Sequence, residues 1–322
     1  MVLFDFFKDY IGEAVALFLG GLIKWFFDKR KEKVDLTTTE ISNGSEVVKL
    51  YKDALDDLPV RYEHKFKELV ELFEQKKERV LNVYCTAGYP HLNSTLDVMQ
   101  SLQKNGANII ELGMPYSDPL ADGEVIQSSS LVALNNGMTI DTLFEQLATM
   151  RTAIHIPVVL MGYMNPILQY GFEDFCKKAK SLGVDGLILP DMPLFEFEQS
   201  YGKIITENNL DFIFLVTPET PVDRIKKLDS LSNGFLYAVS SSATTGKDKD
   251  FNVVSQYLQK LQAMQLKNPI LVGFGIKDKA TFDAATLHTQ GAIIGSAYIQ
   301  QLTKGGDIET TTSQFLNSVL GA

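Results

Sequence analysis

Eight short, almost wholly apolar runs recur along the chain from about residue 66 onwards. They are rich in β-branched residues and lie at 80–86, 108–113, 157–163, 185–191, 210–217, 234–240, 269–275 and 291–296. Apolar and polar residues do not alternate within these runs, which indicates strands covered on both faces, as in a parallel sheet. Helical patterns lie between the runs. In 94–106, Leu96, Met99 and Leu102 share one face, and Gly106 can end the helix.

This succession of strands and helices predicts the fold class. Eight β/α units in about 250 residues are typical of a TIM (β/α)8 barrel. A doubly wound open sheet is the alternative, but it would not need eight such evenly distributed strands. We therefore predict an α/β protein with a barrel catalytic domain over 66–322, preceded by a helical N-terminal extension.

The extension opens with an apolar segment and a basic run, at 1–33. Its uncharged core, 14–23, is shorter than the roughly 20 residues that span a bilayer. The run 28–33 would place cations at anionic headgroups if residues 10–33 lay on a membrane. The alternative, which we favour, is an amphipathic helix packed on a partner or on the main domain. The segment resembles neither a secretory signal nor a transit peptide.

A polar stretch and a second helical pattern complete the extension. Residues 34–46 are typical of a linker. Residues 47–65 carry apolar side chains at heptad spacing, with Lys65 interrupting the pattern and Pro59 kinking it, which predicts one amphipathic helix or a short coiled coil. We expect the helix that ends near Glu78 to cover the base of the barrel.

Charge and cysteine content exclude several classes of function. The net charge of −10 argues against a nucleic-acid-binding protein, because such proteins concentrate Lys and Arg on one face. Cys85, Cys176 and four scattered histidines form neither a disulfide framework nor a metal-ligand pattern. We predict a cytoplasmic protein without a structural metal.

The segment ELGMPYSDPLADG, 111–123, places acids where a barrel builds its active site. It covers the end of the second run and the following loop, and barrel active sites lie at the C-terminal ends of the strands. Glu111 would be partly desolvated, which raises the pKa of a carboxyl group. Asp122 follows on a loop stiffened by Pro115 and Pro119. Both acids could be surface charges or helix caps. A carboxylate inside an apolar strand, as at Glu111, lowers stability, so we expect it to have a function.

Small residues follow the later runs. Gly275, Gly295 and Ser296 come after the seventh and eighth runs, where barrels often bind phosphate through backbone amides and a helix N-terminus. Gly246 lies in the small-residue loop 240–247 after the sixth run. Together these positions predict a phosphate site.

The segment 111–127 resembles the signature of the tryptophan synthase alpha chain family. Further similar segments are 84–90, 160–166, 189–193, 273–276 and 295–297, and the resemblance covers residues from about 72 to 322. Members of this family cleave indole-3-glycerol phosphate to indole and glyceraldehyde 3-phosphate by a retro-aldol step. They pass the indole to a beta chain within a heterotetramer. The resemblance implies a lyase without a cofactor of its own, since pyridoxal phosphate is expected only in the beta chain.

The resemblance also implies roles for individual residues. Glu111 would shuttle protons, Asp122 would hold the indole N–H, and Tyr237 would line the site near the glutamate. The remaining implied positions bind phosphate, at Gly246, Gly275, Gly295 and Ser296, or wall the indole pocket, at Tyr84 and Met161.

Departures from the family leave two other functions open. The loop 240–246 lacks the arginine and the early glycine of many relatives. The beta chain normally contacts the loop containing Pro115 and Asp118, so an extension over this face would block the partnership. A sugar-phosphate isomerase or epimerase would use the same glycine site without the Asp122 loop. A non-catalytic barrel on a membrane-binding or partner-binding arm would explain residues 1–65.

Overall fold

The computed structural model describes residues 68–239, 251–273 and 275–321. The predicted segments at 1–33, 34–46 and 47–65 lie outside these ranges. The described strands are β1 (Val80–Thr86), β2 (Ile109–Gly113), β3 (Val158–Met161), β4 (Gly186–Ile188), β5 (Asp211–Phe212), β6 (Leu215–Val216), β7 (Leu236–Val239), β8 (Ile270–Gly273) and β9 (Gly291–Ile294).

Helices follow or precede almost every strand, so the chain alternates between the two element types. They are α1 (Glu68–Gln75), α2 (Thr95–Lys104), α3 (Glu124–Asn135), α4 (Ile140–Leu147), α5 (Met164–Tyr170), α6 (Phe172–Ser181), α7 (Leu194–Glu196), α8 (Gly202–Glu207), α9 (Val222–Leu231), α10 (Phe251–Ala263), α11 (Lys279–Ala285), α12 (Ser296–Thr303) and α13 (Ile308–Leu320). None of the helices in the described ranges is long and apolar enough to cross a membrane.

The strands form one parallel sheet that closes on itself. Its order is β5-β4-β3-β2-β1-β9-β8-β7-β6. The two end strands belong to the same predicted run, 210–217, because Phe212 pairs with β4 and Leu215 pairs with β7. The run changes its partner at Ile213 and Phe214, which divides it into two strands. The eight predicted runs thus give nine strands in the described part of the chain, and the barrel prediction is confirmed.

Helix α1 closes the N-terminal end of the barrel. Leu69 is buried in one cluster with apolar residues that lie on the strands or next to them, and the ring of Phe73 lies 6.3 Å from that of Phe235. The apolar cluster around Leu69 consists of Val80, Ile109, Val159, Ile188, Ile213, Phe235, Leu271 and Ile293. The other helices pack outside the sheet, where Met99 and Leu102 of α2 are fully buried. Because all strands are parallel, their C-terminal ends meet at the opposite rim.

Candidate active site

Glu111 lies inside the barrel, on β2. Its neighbours in register are Tyr84 on β1 and Val159 on β3, and its side chain is only 1% exposed. Asn82 donates a hydrogen bond from Nδ2 to Oε2 of Glu111 over 2.8 Å. Burial raises the pKa of Glu111 to about 8, the hydrogen bond from Asn82 opposes this shift, and the negative charge of Asp122 adds to it. Glu111 is therefore mostly protonated at neutral pH.

Asp122 lies in the loop between β2 and α3 and is also largely buried. Burial raises its pKa to about 6, and a hydrogen bond with the Tyr163 side chain opposes the shift. The Tyr163 hydroxyl also accepts a hydrogen bond from the Ala121 amide over 3.1 Å, which ties the loop to the segment after β3. Asp122 is therefore mostly ionised at neutral pH, unlike Glu111.

Two tyrosines complete the described interior of the site. Burial and the negative charges of Glu111 and Asp122 hold the pKa of Tyr84 and of Tyr237 well above the ordinary value, so both phenols are neutral. Glycine on the neighbouring strand makes room for each ring. A Cβ atom at Gly113 would lie 2.0 Å from the Tyr84 hydroxyl oxygen, and one at Gly273 would lie 2.6 Å from that of Tyr237. Any larger residue at either glycine would displace a tyrosine.

The remaining predicted positions lie on or next to the same rim. Met161 ends β3 and is partly buried against the core. Gly275 follows β8 with a φ of +39°, and a Cβ atom there would meet nothing within 4 Å. Gly295 precedes α12, which begins at Ser296, and the first amides of a helix have no intrahelical acceptor. Gly246 lies outside the described residues.

The structure thus brings Glu111, Asp122, Tyr84 and Tyr237 into one electrostatically coupled group. Sequence reasoning missed Tyr163 and Asn82. Tyr163 lies within the segment 160–166 that carries the family resemblance, so a signal was present but no role was assigned. No pattern in the sequence marked Asn82. Among the described residues, no three His, Cys, Asp or Glu side chains are placed to hold a metal ion.

Comparisons with known proteins extend this picture over most of the chain. The family model described as tryptophan synthase alpha chain matches residues 70–319. The tryptophan synthase alpha chain of Flavobacterium psychrophilum is 48% identical over 246 residues, which are 76% of this chain and 96% of that protein. The corresponding protein of Parabacteroides distasonis is 47% identical over 255 residues, covering 79% and 98%.

Solved structures agree with the sequence relatives. The alpha subunit from Legionella pneumophila str. Paris superposes with a TM-score of 0.72 at 31% identity, over 79% of this chain and 96% of that one. Tryptophan synthase from M. tuberculosis in its aminoacrylate-bound form gives a TM-score of 0.69 at 29% identity, over 78% and 99%. The described barrel therefore has the fold of known alpha subunits.

These matches decide between the functions that the sequence left open. Alpha chains of this family are lyase subunits that need no cofactor, because pyridoxal phosphate belongs to the beta chain with which they assemble. Nothing supports an isomerase, an epimerase or a non-catalytic barrel. The family model spans most of the chain, and relatives near half identity cover it over almost their whole length, so the chain belongs to the tryptophan synthase alpha chain family.

Proposed function

We propose that Glu111 and Asp122 carry the retro-aldol cleavage of indole-3-glycerol phosphate in this chain. The observation that supports this assignment most directly is the difference between the two buried carboxyl groups, whose pKa values are about 8 and about 6. At neutral pH one group is an acid and the other an anion, and the two roles in the reaction require this combination.

In the first step Glu111 gives its proton to C3 of the indole ring. The ring then carries a positive charge centred on its nitrogen, and it can accept the electron pair of the bond that must break. Ionised Asp122 accepts a hydrogen bond from the ring N–H and stabilises this charge, in a buried setting where such an interaction is strong. Tyr163 keeps the Asp122 carboxylate in place.

In the second step the Glu111 carboxylate takes the proton of the hydroxyl group on the carbon attached to the ring. A carbonyl forms at that carbon, the bond to C3 breaks, and its electron pair restores the indole. The products are indole and glyceraldehyde 3-phosphate. Glu111 ends the cycle protonated, as it began.

Binding fixes the substrate at both ends. Tyr84 and Met161 wall the indole ring, and Tyr237 lies beside the glutamate. The phosphate is held by backbone amides at Gly275, Gly295 and Ser296 together with Gly246. The open space at Gly275 and the start of α12 at Ser296 support this site. Anchoring the phosphate holds the reacting carbon against Glu111.

The exposed surface beside the site is suited to binding a beta chain. We expect this assembly to form in the cytoplasm. Leu120 is 89% exposed on the Asp122 loop, and Leu168 and Phe195 are also exposed apolar residues, on α5 and α7. The loop and α5 are joined by a hydrogen bond from Asn165 to the Tyr116 hydroxyl. Exposed apolar side chains on neighbouring elements are typical of an interaction surface.

The test is the release of indole from indole-3-glycerol phosphate by purified protein, alone and with a beta chain. Glu111→Gln and Asp122→Asn should each lower kcat about 10²-fold or more, because each removes a positioned acid or base. Glu124→Gln is the matched control, since Glu124 lies on an exposed position of the same segment. Near-wild-type rates in either site variant would contradict the assignment.

A further inference from the structure

Asn82 places a buried amide against Glu111, and the reaction described above does not use it. The residue lies on β1 and is fully buried. Its Nδ2 atom donates to Oε2 of Glu111 over 2.8 Å, while its Oδ1 atom has no hydrogen-bond partner. Leaving a polar atom unpaired inside a protein costs free energy, so an apolar residue would be the more stable choice.

We propose that Asn82 is a positioning residue, whose amide holds the Glu111 carboxyl group in one orientation and hydrogen-bonds to it in both protonation states. The inference rests on the proposed role of Glu111 as proton donor and acceptor. Such a group alternates between acid and carboxylate within one turnover, so a neighbour that serves only one state would oppose half of the cycle.

An amide can serve both states because it carries donors and an acceptor. Nδ2 donates to Oε2 in the structure, and this bond suits the carboxylate form of Glu111. After a half-turn of the amide, Oδ1 accepts from the protonated acid, and the shape of the side chain is unchanged. The residues level with Asn82 on the adjacent strands are Ile109 and Ile293, which offer the amide no side-chain partner.

The other titratable groups near Glu111 cannot replace Asn82 in this role. Asp122 faces it from the following loop and is ionised at neutral pH, so it repels the carboxylate. Tyr84 and Cys85 lie on β1 and Tyr237 lies on β7. Burial and the charge of Glu111 raise the pKa of all three, so they stay neutral, but among the described residues only the Asn82 side chain hydrogen-bonds to the Glu111 carboxyl group.

The test replaces Asn82 by leucine, which has nearly the same size but no polar atoms. The bond to the carboxylate is charge-assisted and stronger than the bond to the acid, so its loss favours the protonated form. We expect Glu111 to titrate about one pH unit higher. We also expect kcat to fall about tenfold, because the carboxyl group loses its fixed orientation.

The titration is measured directly, by infrared spectroscopy of the protonated carboxyl band across a pH series, with Glu111→Gln assigning the band. The pH dependence of kcat/KM is recorded beside it. Asn136→Leu is the matched control, because its amide bonds only to the Gly88 and Pro90 carbonyls. The control should lower thermal stability and leave the Glu111 titration unchanged.

Asn82→Ser provides a second variant if the leucine protein does not fold. Its hydroxyl donates and accepts, directly or through a water molecule, so Glu111 should titrate closer to the wild-type pH than in Asn82→Leu or, failing that, Asn82→Ala. An unshifted titration with kcat within about twofold of wild type in the apolar variant would overturn the inference. If instead Glu111→Gln stays active, the role of Glu111 itself fails, and the two failures are distinguishable.

Discussion

At the scale of single residues, two carboxyl groups of similar chemistry acquire different protonation states from their surroundings. Glu111 is inside the barrel with an uncharged amide as its hydrogen-bond donor. Asp122 is less deeply placed and bonded to the Tyr163 hydroxyl. Desolvation is the largest cause of the pKa shift for both groups, and the overall shift is greater for Glu111. The environment therefore separates an acid from an anion.

This separation predicts a bell-shaped dependence of kcat/KM on pH, because kcat/KM reports the pKa values of the free enzyme. Asp122 must be ionised, so the rate should fall as pH decreases through about 6. Glu111 must start protonated, so the rate should fall as pH rises through about 8. Indole release at substrate concentrations well below KM, measured across this range, checks both limbs.

The controls for the pH profile are the variants of the same two residues. Asp122→Asn removes the group that titrates on the acid side, so its residual activity should lack the acid limb. A wild-type rate that stays constant both below about pH 6 and above about pH 8 would contradict the assignment of Glu111 as the acid and Asp122 as the anion.

At the scale of elements, α1 belongs to the barrel although it precedes the first strand. Leu69 is buried among apolar side chains of the strands, and Gly234 leaves it room, since a Cβ atom there would lie 3.0 Å from Leu69 Cδ1. The helix therefore closes the end of the barrel that lies opposite the site. Its contribution is to stability rather than to chemistry.

We expect Leu69→Ala to lower the free energy of unfolding by about 2–5 kcal/mol, because it leaves a cavity in a closed core. The value of kcat should stay unchanged at temperatures where the variant is folded. Urea unfolding and indole release measure the two quantities. Leu287→Ala is the control, since Leu287 is 72% exposed and its loss should cost less than about 0.5 kcal/mol.

At the scale of the whole molecule, closure depends on the run 210–217. This one segment bonds to β4 through its first half and to β7 through its second half. Ile213 donates its amide to the Leu187 carbonyl, and Phe214 accepts from the Tyr237 amide, so the hydrogen bonding passes from one neighbour to the other. All described strands of the barrel, and the helix that closes its end, lie in the chain from α1 onwards.

The proposed domain boundary at residue 66 follows from this arrangement. A truncation beginning at Lys65 retains α1 and every described core residue, so its thermal stability and its rate of indole release should match those of the full chain. Stimulation by a beta chain should also be retained. Calorimetry and the cleavage assay compare the two proteins side by side. An unfolded or inactive truncation would show that residues 1–64 are part of the catalytic domain.

The sequence by itself determined the fold class, the family and the two acidic residues of the candidate site, Glu111 and Asp122. Apolar runs without alternation predicted a parallel barrel, and the segment 111–127 predicted the family, which the comparisons confirm. A carboxyl group inside such a run predicted the buried position of Glu111. These features can be predicted because they depend on consecutive residues: a strand buried on both faces is a continuous apolar run, and the loop residues follow it directly in the chain.

Only the tertiary structure decided which residues from different strands meet. The division of the run 210–217, the bond from Asn82 to Glu111 and the approach of Tyr163 to Asp122 all join segments far apart in the chain. So does the space that Gly113 leaves for Tyr84. Each depends on strand register and on the closure of the sheet, and a local pattern of residues does not specify which position of one strand lies level with which position of another.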